Sequence, residues 1–525
     1  MKYIYSIIKA DYLQRTRSYS FLITLAITVY GAYSFVPPPT ASYTTLNIVG
    51  YKGVYNSAWV GYVSAMMTTI MLSLYGFFLV NSGIKKDIDT EVGLIIATTP
   101  ITNFEYLLSK MLSNFLVLLT ITGITFSVSI VMFFIRTSGY PFIIANFMLP
   151  YLLFAIPALL TISALAVVAE VFLGKRNILQ YIIFIFLFGV IMANVTNARN
   201  NTVAVFIDPF GVRTMTHSIT DKVNAQFHES VPAVNLGFTF NAKHAFKTFV
   251  WDGISWSGIF FLSRLVWICF AFGIVYISSF FFHRFDFKQS ISKKKKGSIF
   301  AGAPEMSVSP AKSINIALLP PVITDYSIFP FVKTEILLLI RKGSKWFWLI
   351  NGALWLSMFF APLNITHAYL LPVLLFLQVT RWSDLATKEK TNRLHYFTFS
   401  SYKPLQRMLP AQLLAGIIMA LALTLPVLVR YIFASDIYHV ITIINGGIFV
   451  VMLAVCLGIL SDGKKLYEIM FFMLTYCIVE KIPIADYLGA MQHDSRTGFI
   501  ITMLLFNLFF GAVSFTVRGY QVRHL

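Results

Sequence analysis

The chain has 525 residues, of which 57% are hydrophobic and only 12% charged, with a mean hydropathy of +0.73. Soluble domains carry roughly 25% charged residues, so this composition excludes an ordinary water-soluble enzyme and points to a chain that faces lipid. The net charge of +19 would by itself suggest a nucleic-acid partner. Here the basic residues follow the alternation of apolar runs set out below, and no nucleic acid is expected.

The first residues, "MKYIYSIIKADYLQRTRSYS", place Lys2, Lys9, Asp11, Arg15 and Arg17 ahead of any long apolar run, which argues against a cleaved signal. Ile4, Ile7 and Ile8 recur at helical spacing among these charges, the pattern of a helix lying in the membrane interface. Apolar runs of spanning length follow at about 18–36 and 59–80. Residues 85–112, "KKDIDTEVGLIIATTPITNFEYLLSKML", then break the pattern with a charge cluster, a half-apolar stretch and Pro100. Further runs occupy about 111–135, 147–170, 178–196 and 257–282, and a polar segment with scattered aromatics fills 197–256. Residues 283–325 are basic and bear Ser, Pro and Gly, with four consecutive lysines at Lys293 to Lys296; they read as a linker.

The pattern restarts after the linker. "FPFVKTEILLLIRKGSKWFWLI" repeats the interfacial-helix signature, with Ile336, Leu339 and Ile340 on one face. Runs follow at about 346–363, 366–380, 411–433, 437–460, 466–483 and 498–517. Between the second and third of these lies "RWSDLATKEKTNRLHYFTFSSYKPLQRMLPAQLL", a counterpart of the stretch around Pro100. The expectation is an all-α polytopic membrane protein of about 12 spans, built as two parallel six-helix repeats, 1–282 and 326–525. Alternate segments hold 30 of the 41 Lys and Arg residues, which places them, and both termini, in the cytoplasm.

At these residues the chain resembles the permease subunits of type-2 ABC transporters, the exporter-like superfamily of ATP-driven pumps. In that family each unit starts with an interfacial elbow helix, and the loop after its second span carries a coupling helix that docks on the ATPase. The resemblance assigns this role to Glu91, Gly93, Leu94, Thr99 and Pro100, followed by Glu105 and Lys110, in the first half. In the second half it assigns Glu389, Arg393, Ser401 and Pro404, followed by Arg407, with Asn392 where a glycine is common. "FIDPFG" at 206–211 and "LSRLVW" at 262–267 resemble two further permease segments, which marks Asp208, Pro209, Phe210, Gly211 and Arg264 as an outer cap or pathway. Ser263 stands where the family carries asparagine. The resemblance implies two ATPase subunits docking from the cytoplasm, with ATP and Mg on those partners and no cofactor on this chain. It also implies a bacterial cytoplasmic membrane and helices capping the outer end over about 197–256.

The motor is not in this sequence. "FLGKRN" and "SDGKKLY" lack the glycine spacing and the Ser or Thr of a phosphate-binding loop, so no catalytic residue is assigned. Cys269, Cys456 and Cys477 lie in apolar runs, and the nine histidines form no metal-binding spacing. Glu170, Arg264, Arg430, Glu468 and Glu480 lie near run ends, where snorkelling would make them interface anchors. A twelve-span ion-coupled transporter is the alternative reading; it would need carboxylates or histidines at mid-membrane depth, and none is evident. A polytopic membrane transferase is the third, and it would need clustered acids or histidines at one membrane face. The aromatic-rich spans fit an amphipathic or lipid-like cargo.

Overall fold

The computed structural model describes residues 2–38, 41, 43–48, 51–174, 177–197, 202–228, 234–240, 247–282, 327–479, 485–491 and 495–524. The linker 283–325, Lys293 to Lys296 and Glu480 lie outside the described residues.

The chain is a helical membrane protein. Its N-terminal part runs α1 (Lys2–Thr16), α2 (Tyr19–Phe35), α3 (Ser57–Val80), α4 (Gly83–Asp89), α5 (Val92–Ala97), α6 (Asn103–Arg136), α7 (Ala145–Leu173, with a π-helical turn at Tyr151–Ala155), α8 (Asn177–Asn197), α9 (Thr202–Ile207), α10 (Val212–Phe227) and α11 (Gly258–Phe281). Its C-terminal part runs α12 (Phe329–Arg341), α13 (Lys345–Phe360), α14 (Leu363–Leu377), α15 (Lys388–Thr391), α16 (His395–Phe399), α17 (Pro404–Phe433), α18 (Ile437–Ser461), α19 (Lys465–Val479) and α20 (Arg496–Arg523). Every apolar run of the sequence is helical over its described residues. Among the described residues seven helical stretches are long and apolar enough to cross a bilayer alone, and the pair α1–α2, bent by 70°, makes an eighth if it counts as one span. The other apolar helices are shorter, such as Leu179–Ala193 within α8, and α14.

Local chemistry sets where these helices begin. Ser18 caps α2 and Ser344 caps α13, each side chain accepting from the amide three residues on, so both elbow-to-span corners turn on the same device. Asn56 caps α3, accepting from the Trp59 amide at 2.7 Å. Thr102 and Glu105 form a capping box at the start of α6.

The segment expected to be a purely helical cap is mixed. Strands β1 (Tyr43–Ile48) and β2 (Tyr51–Gly53) come from the α2–α3 connection, and β3 (Val234–Phe240) and β4 (Lys247–Phe249) follow α10. They form one sheet in the order β3-β1-β2-β4, with β1 antiparallel to β2 and β3, and β2 parallel to β4. The reason is visible in β1, where "YTTLNI" is rich in β-formers and supplies the edge that β3 needs. A buried aromatic group centred on Trp59, Trp251 and Phe249 seats the sheet on the top of α3.

Polar groups near helix ends are tied into the protein and do not snorkel. Glu170, near the end of α7, is 7% exposed. Its carboxylate accepts the amides of Ser82, Gly83, Ile84 and Lys85 at 2.6–3.0 Å. It thus caps α4 in trans and fixes the point where the chain leaves α3, at Ser82 with φ 95°. The correction has a simple cause: four backbone N–H groups left over at a helix start need an acceptor, and a carboxylate satisfies them best. Arg430 likewise donates to the carbonyls of Met358 and Ala361 at 2.7 and 2.6 Å. Glu468 accepts from the Ser383 hydroxyl at 3.1 Å.

Glu170→Ala should therefore destabilise the chain by about 3 kcal/mol, because hydrogen bonds to charged groups contribute roughly 1.5–3 kcal/mol and the amides stay buried. The check is the unfolding midpoint of the purified protein in detergent, with Glu170→Gln falling between; an unchanged midpoint in Glu170→Ala would contradict the capping role.

Candidate functional site

The two segments singled out in the sequence form two broken helical knobs at the same end of the helices. In the first, α4 and α5 meet at Glu91, whose φ of 61° is left-handed. In the second, α15 and α16 meet at Arg393, with φ 57°. Glu91 lies four positions after Asp87, and Arg393 four positions after Glu389. The register is therefore Asp87 with Glu389 and Glu91 with Arg393, and it replaces the pairing of Glu91 with Glu389 that the two glutamates suggested. The sequence misleads here because residue type was matched, whereas the chain repeats a backbone turn.

Each knob is rooted through its acid. Asp87 accepts from Tyr106 Oη at 2.8 Å and pairs with Lys110 Nζ at 2.7 Å; Lys110 also pairs with Asp11 of the elbow α1 at 2.7 Å. Lys110 is 2% exposed. In the second half Glu389 accepts from Gln412 Nε2 at 2.6 Å, and Gln412 lies 23 residues beyond it, as Lys110 lies beyond Asp87. The elbow again joins in, since Glu335 of α12 pairs with Lys388. Asp87 and Gln412 carry geometry that sequence reading of the knobs passed over, and Lys110, singled out there and set beside Arg407, pairs instead with Asp87 in the place that Gln412 takes in the second half; the equal spacing was the signal that could have found it.

The tips differ from the roots. Glu91 is exposed, and so are Val92 and Ile95, the latter by 69%. On the second knob Leu394, Tyr396 and Phe397 are exposed, Phe397 by 82%. Gly93 lies in α5; the Leu94 side chain lies outside the described residues. The Thr99 hydroxyl donates to the Ile96 carbonyl at 2.6 Å and Ser401 to that of Thr398 at 2.7 Å, closing the two knobs alike, and Pro100 and Pro404 stand just before α6 and at the start of α17. Glu389 is not part of a tip. It is 3% exposed, its Oε2 makes no hydrogen bond among the described residues, and burial pushes its carboxyl above the usual 4.5, with Lys388 pulling it back.

At the opposite end the structure gathers Asp208, Pro209, Phe210, Gly211 and Arg264. Asp208 Oδ1 accepts the amides of Phe210 and Gly211 at 3.0 and 2.8 Å, and Oδ2 accepts that of Arg213 at 2.8 Å. Burial raises the Asp208 carboxyl and Arg264 together with these amides opposes the rise. Arg264 donates Nη1 to the Pro209 carbonyl at 2.8 Å, Nη2 to that of Asp208, and Nε to the Ser263 hydroxyl at 3.2 Å. Ser263 thus supplies a hydroxyl acceptor at the asparagine position. Gly211 is left-handed, with φ 83°, and an added Cβ would lie 2.4 Å from the Phe154 ring.

A second such turn was missed. In "ADYLG", 485–489, Asp486 accepts the amides of Leu488, Gly489, Ala490 and Met491 at 2.8–3.2 Å. Gly489 has φ 74°, and a Cβ there would lie 2.8 Å from Thr442. The shared Asp-x-x-Gly spacing of "DPFG" and "DYLG" was the available clue, hidden because the intervening residues differ.

Among the described residues no group of three or more His, Cys, Asp or Glu side chains could hold a metal ion. Gly211→Ala and Gly489→Ala should each lower the unfolding midpoint, since each adds a clash and a disfavoured φ, whereas Gly31→Ala, in open space, should not; equal behaviour of the three contradicts the turn assignment. Glu389→Gln should raise the midpoint at pH 7–8. The buried charge destabilises the fold above its raised pKa, and that penalty disappears below the unfolded value near 4.5. The gain over the parent should therefore shrink as the pH falls toward 4.5; a gain that is constant with pH would point to a different cause.

No family model, curated protein or solved structure matches the chain.

Proposed function

We propose that the chain is the membrane-spanning permease subunit of an ATP-driven ABC transporter, an exporter with two six-span units fused in tandem. The observation that supports this reading most is the pair of knobs. Both follow the second apolar run of their half, turn at a left-handed residue and are rooted by a buried acid on the helix that follows. Both hold bulky apolar side chains in the open. A knob serving only as a loop would gain nothing from exposed Ile95 and Phe397, which cost free energy in water unless a partner covers them. A rigid root matters equally, because a docked motor can move the spans only through a segment that does not bend.

On this reading the knobs face the cytoplasm of a bacterial cell with both termini, and two ATPase subunits carrying ATP and Mg dock there. The four elements shared by the halves, in order, are elbow, two spans, knob, and later the Asp-x-x-Gly turn before the last span; they form the parallel repeat. Closure of the ATPases would draw on residues near 88–100 and 388–404 and rock the halves between inward- and outward-facing states. The contacts that such rocking must rearrange join the two halves: Lys465 donates to the Asn81 carbonyl, Ser20 to the Ser461 carbonyl at 3.1 Å, and Phe78 and Phe472 lie 4.4 Å apart.

The test is purification of the chain from its native membrane, followed by identification of what accompanies it, in the parent and in Ile95→Glu and Phe397→Glu variants. These tip residues are better probes than Glu389, whose replacement by arginine would break a root. A nucleotide-hydrolysing partner that is present with the parent and reduced at least tenfold with the variants is expected. Absence of such a partner, or its indifference to both tips, overturns the proposal in favour of an ion-coupled transporter.

A further inference from the structure

α17 and α18 are joined at the end remote from the knobs, and this junction carries side chains that the proposed function does not use. Asp436 caps α18, accepting the His439 amide at 3.3 Å, and it also holds His439 Nδ1 at 2.6 Å. The carboxylate thereby keeps the imidazole proton on Nδ1, and among the described residues Nε2 has no hydrogen-bond partner. The His439 ring stacks on Tyr431, with centroids 4.7 Å apart and planes 10° from parallel. His367 stands edge-on to His439 at 5.6 Å. It is fully engaged, with Nδ1 accepting from Tyr431 Oη at 2.9 Å and Nε2 donating to the Leu488 carbonyl at 3.1 Å. These rings, Tyr369 and aliphatic residues such as Ile365 and Ile478 enclose a cavity of about 660 Å³, the size of a small-molecule site.

We propose that this cavity binds an organic cation with an apolar body, such as a lipophilic ammonium or phosphonium. Its charge would lie against Asp436 and its body against Tyr369, Tyr431 and His439. The sign follows from the wall. Among the described lining residues Asp436 is the one carboxylate, and none is Lys or Arg. The Asp436 side chain remains 35% exposed, so its oxygens can still receive a ligand. Arg496 lies near but over the Tyr438 ring, 5.2 Å from its centroid, and does not line the cavity. Aromatic faces attract cations, most strongly where water is scarce. An anion would meet the Asp436 carboxylate, the polar Asn364 amide and the tyrosine hydroxyls, and no Lys or Arg among the described lining residues. A metal ion lacks the three ligands it needs.

Two comparisons within the chain sharpen the assignment. The corresponding junction of the first half, 137–144, contains no carboxylate and no imidazole, so the site is one-sided. A second cavity, of about 680 Å³ beside α10, mixes Arg213, Lys222, Asp221 and Asp252. There Lys222 already pairs with Asp252 at 2.9 Å, and no net sign is on offer.

The test is calorimetric titration of the purified full chain in lipid nanodiscs with tetraphenylphosphonium, and with tetraphenylborate as an anion of matching size and shape. Saturable binding of the phosphonium is expected, and none of the borate. Asp436→Asn should weaken binding about tenfold while keeping the helix cap, since Asn caps as well as Asp. Tyr369→Ala should weaken it about threefold, and Asp252→Asn should leave it unchanged. Phosphonium binding that is equal in Asp436→Asn, matched by the borate, or only non-saturable overturns the proposal. The outcome does not depend on what drives the chain, so it is independent of the search for an ATPase partner.

Discussion

A buried ammonium between two carboxylates holds the first knob to everything else. Lys110 sits 2.7 Å from both Asp11 and Asp87 and is almost wholly out of water. Such a group is stable only while its partners remain, because removing one leaves an uncompensated buried charge. Elbow, knob and third apolar helix therefore keep one geometry. The second half solves the same problem with different residues: Glu389 meets neutral Gln412, and the elbow acid, Glu335, reaches Lys388. The shared constraint is that a polar knob emerging from lipid must be anchored by polar contacts at its root, where the backbone leaves the continuous helix.

That constraint explains the division between roots and tips. Roots are buried and held by an acid in polar contact with the following helix, while tips leave bulky apolar side chains such as Ile95 and Phe397 exposed. It also explains why the helix after each knob carries the partner of the knob's acid 23 residues on. At the far end the same logic appears in backbone form, where Asp208 and Asp486 gather the amides of a tight turn whose glycine no larger residue can replace without meeting Phe154 or Thr442. Arg264 holds the first of these turns by its carbonyls, while His367 holds the second through the Leu488 carbonyl. One turn is thus tied by a permanent cation and the other by an imidazole, and the aromatic cavity lies beside the second.

Much of the fold was legible because lipid imposes a long-period signal. Each apolar run is helical over its described residues, and the charged, amphipathic stretches before α2 and α13 marked the two helices that precede them. The sheet was not legible. Its strands are short, and they come from parts of the chain nearly two hundred residues apart, so no local pattern links Tyr43 to Phe240. The existence and place of both knobs were legible as interruptions in that signal. Their register was not, since Glu91 and Glu389 look alike but occupy a tip and a root. Glu170 was read as a snorkelling anchor because a sequence does not show that four amides point at it.

The central claim is that the two knobs lie on one side of the membrane and that the sheet and the cation site lie on the other. The most direct measurement is labelling of single cysteines in intact cells with a membrane-impermeant thiol reagent, in a background lacking Cys269, Cys456 and Cys477. The account predicts that cysteines at Ile95 and Phe397 are protected until the cells are opened, while cysteines at Asp252 and Ser435 label from outside. Labelling of Ile95 and Phe397 from opposite sides would contradict the parallel arrangement of the halves, and with it a pump worked from two cytoplasmic knobs.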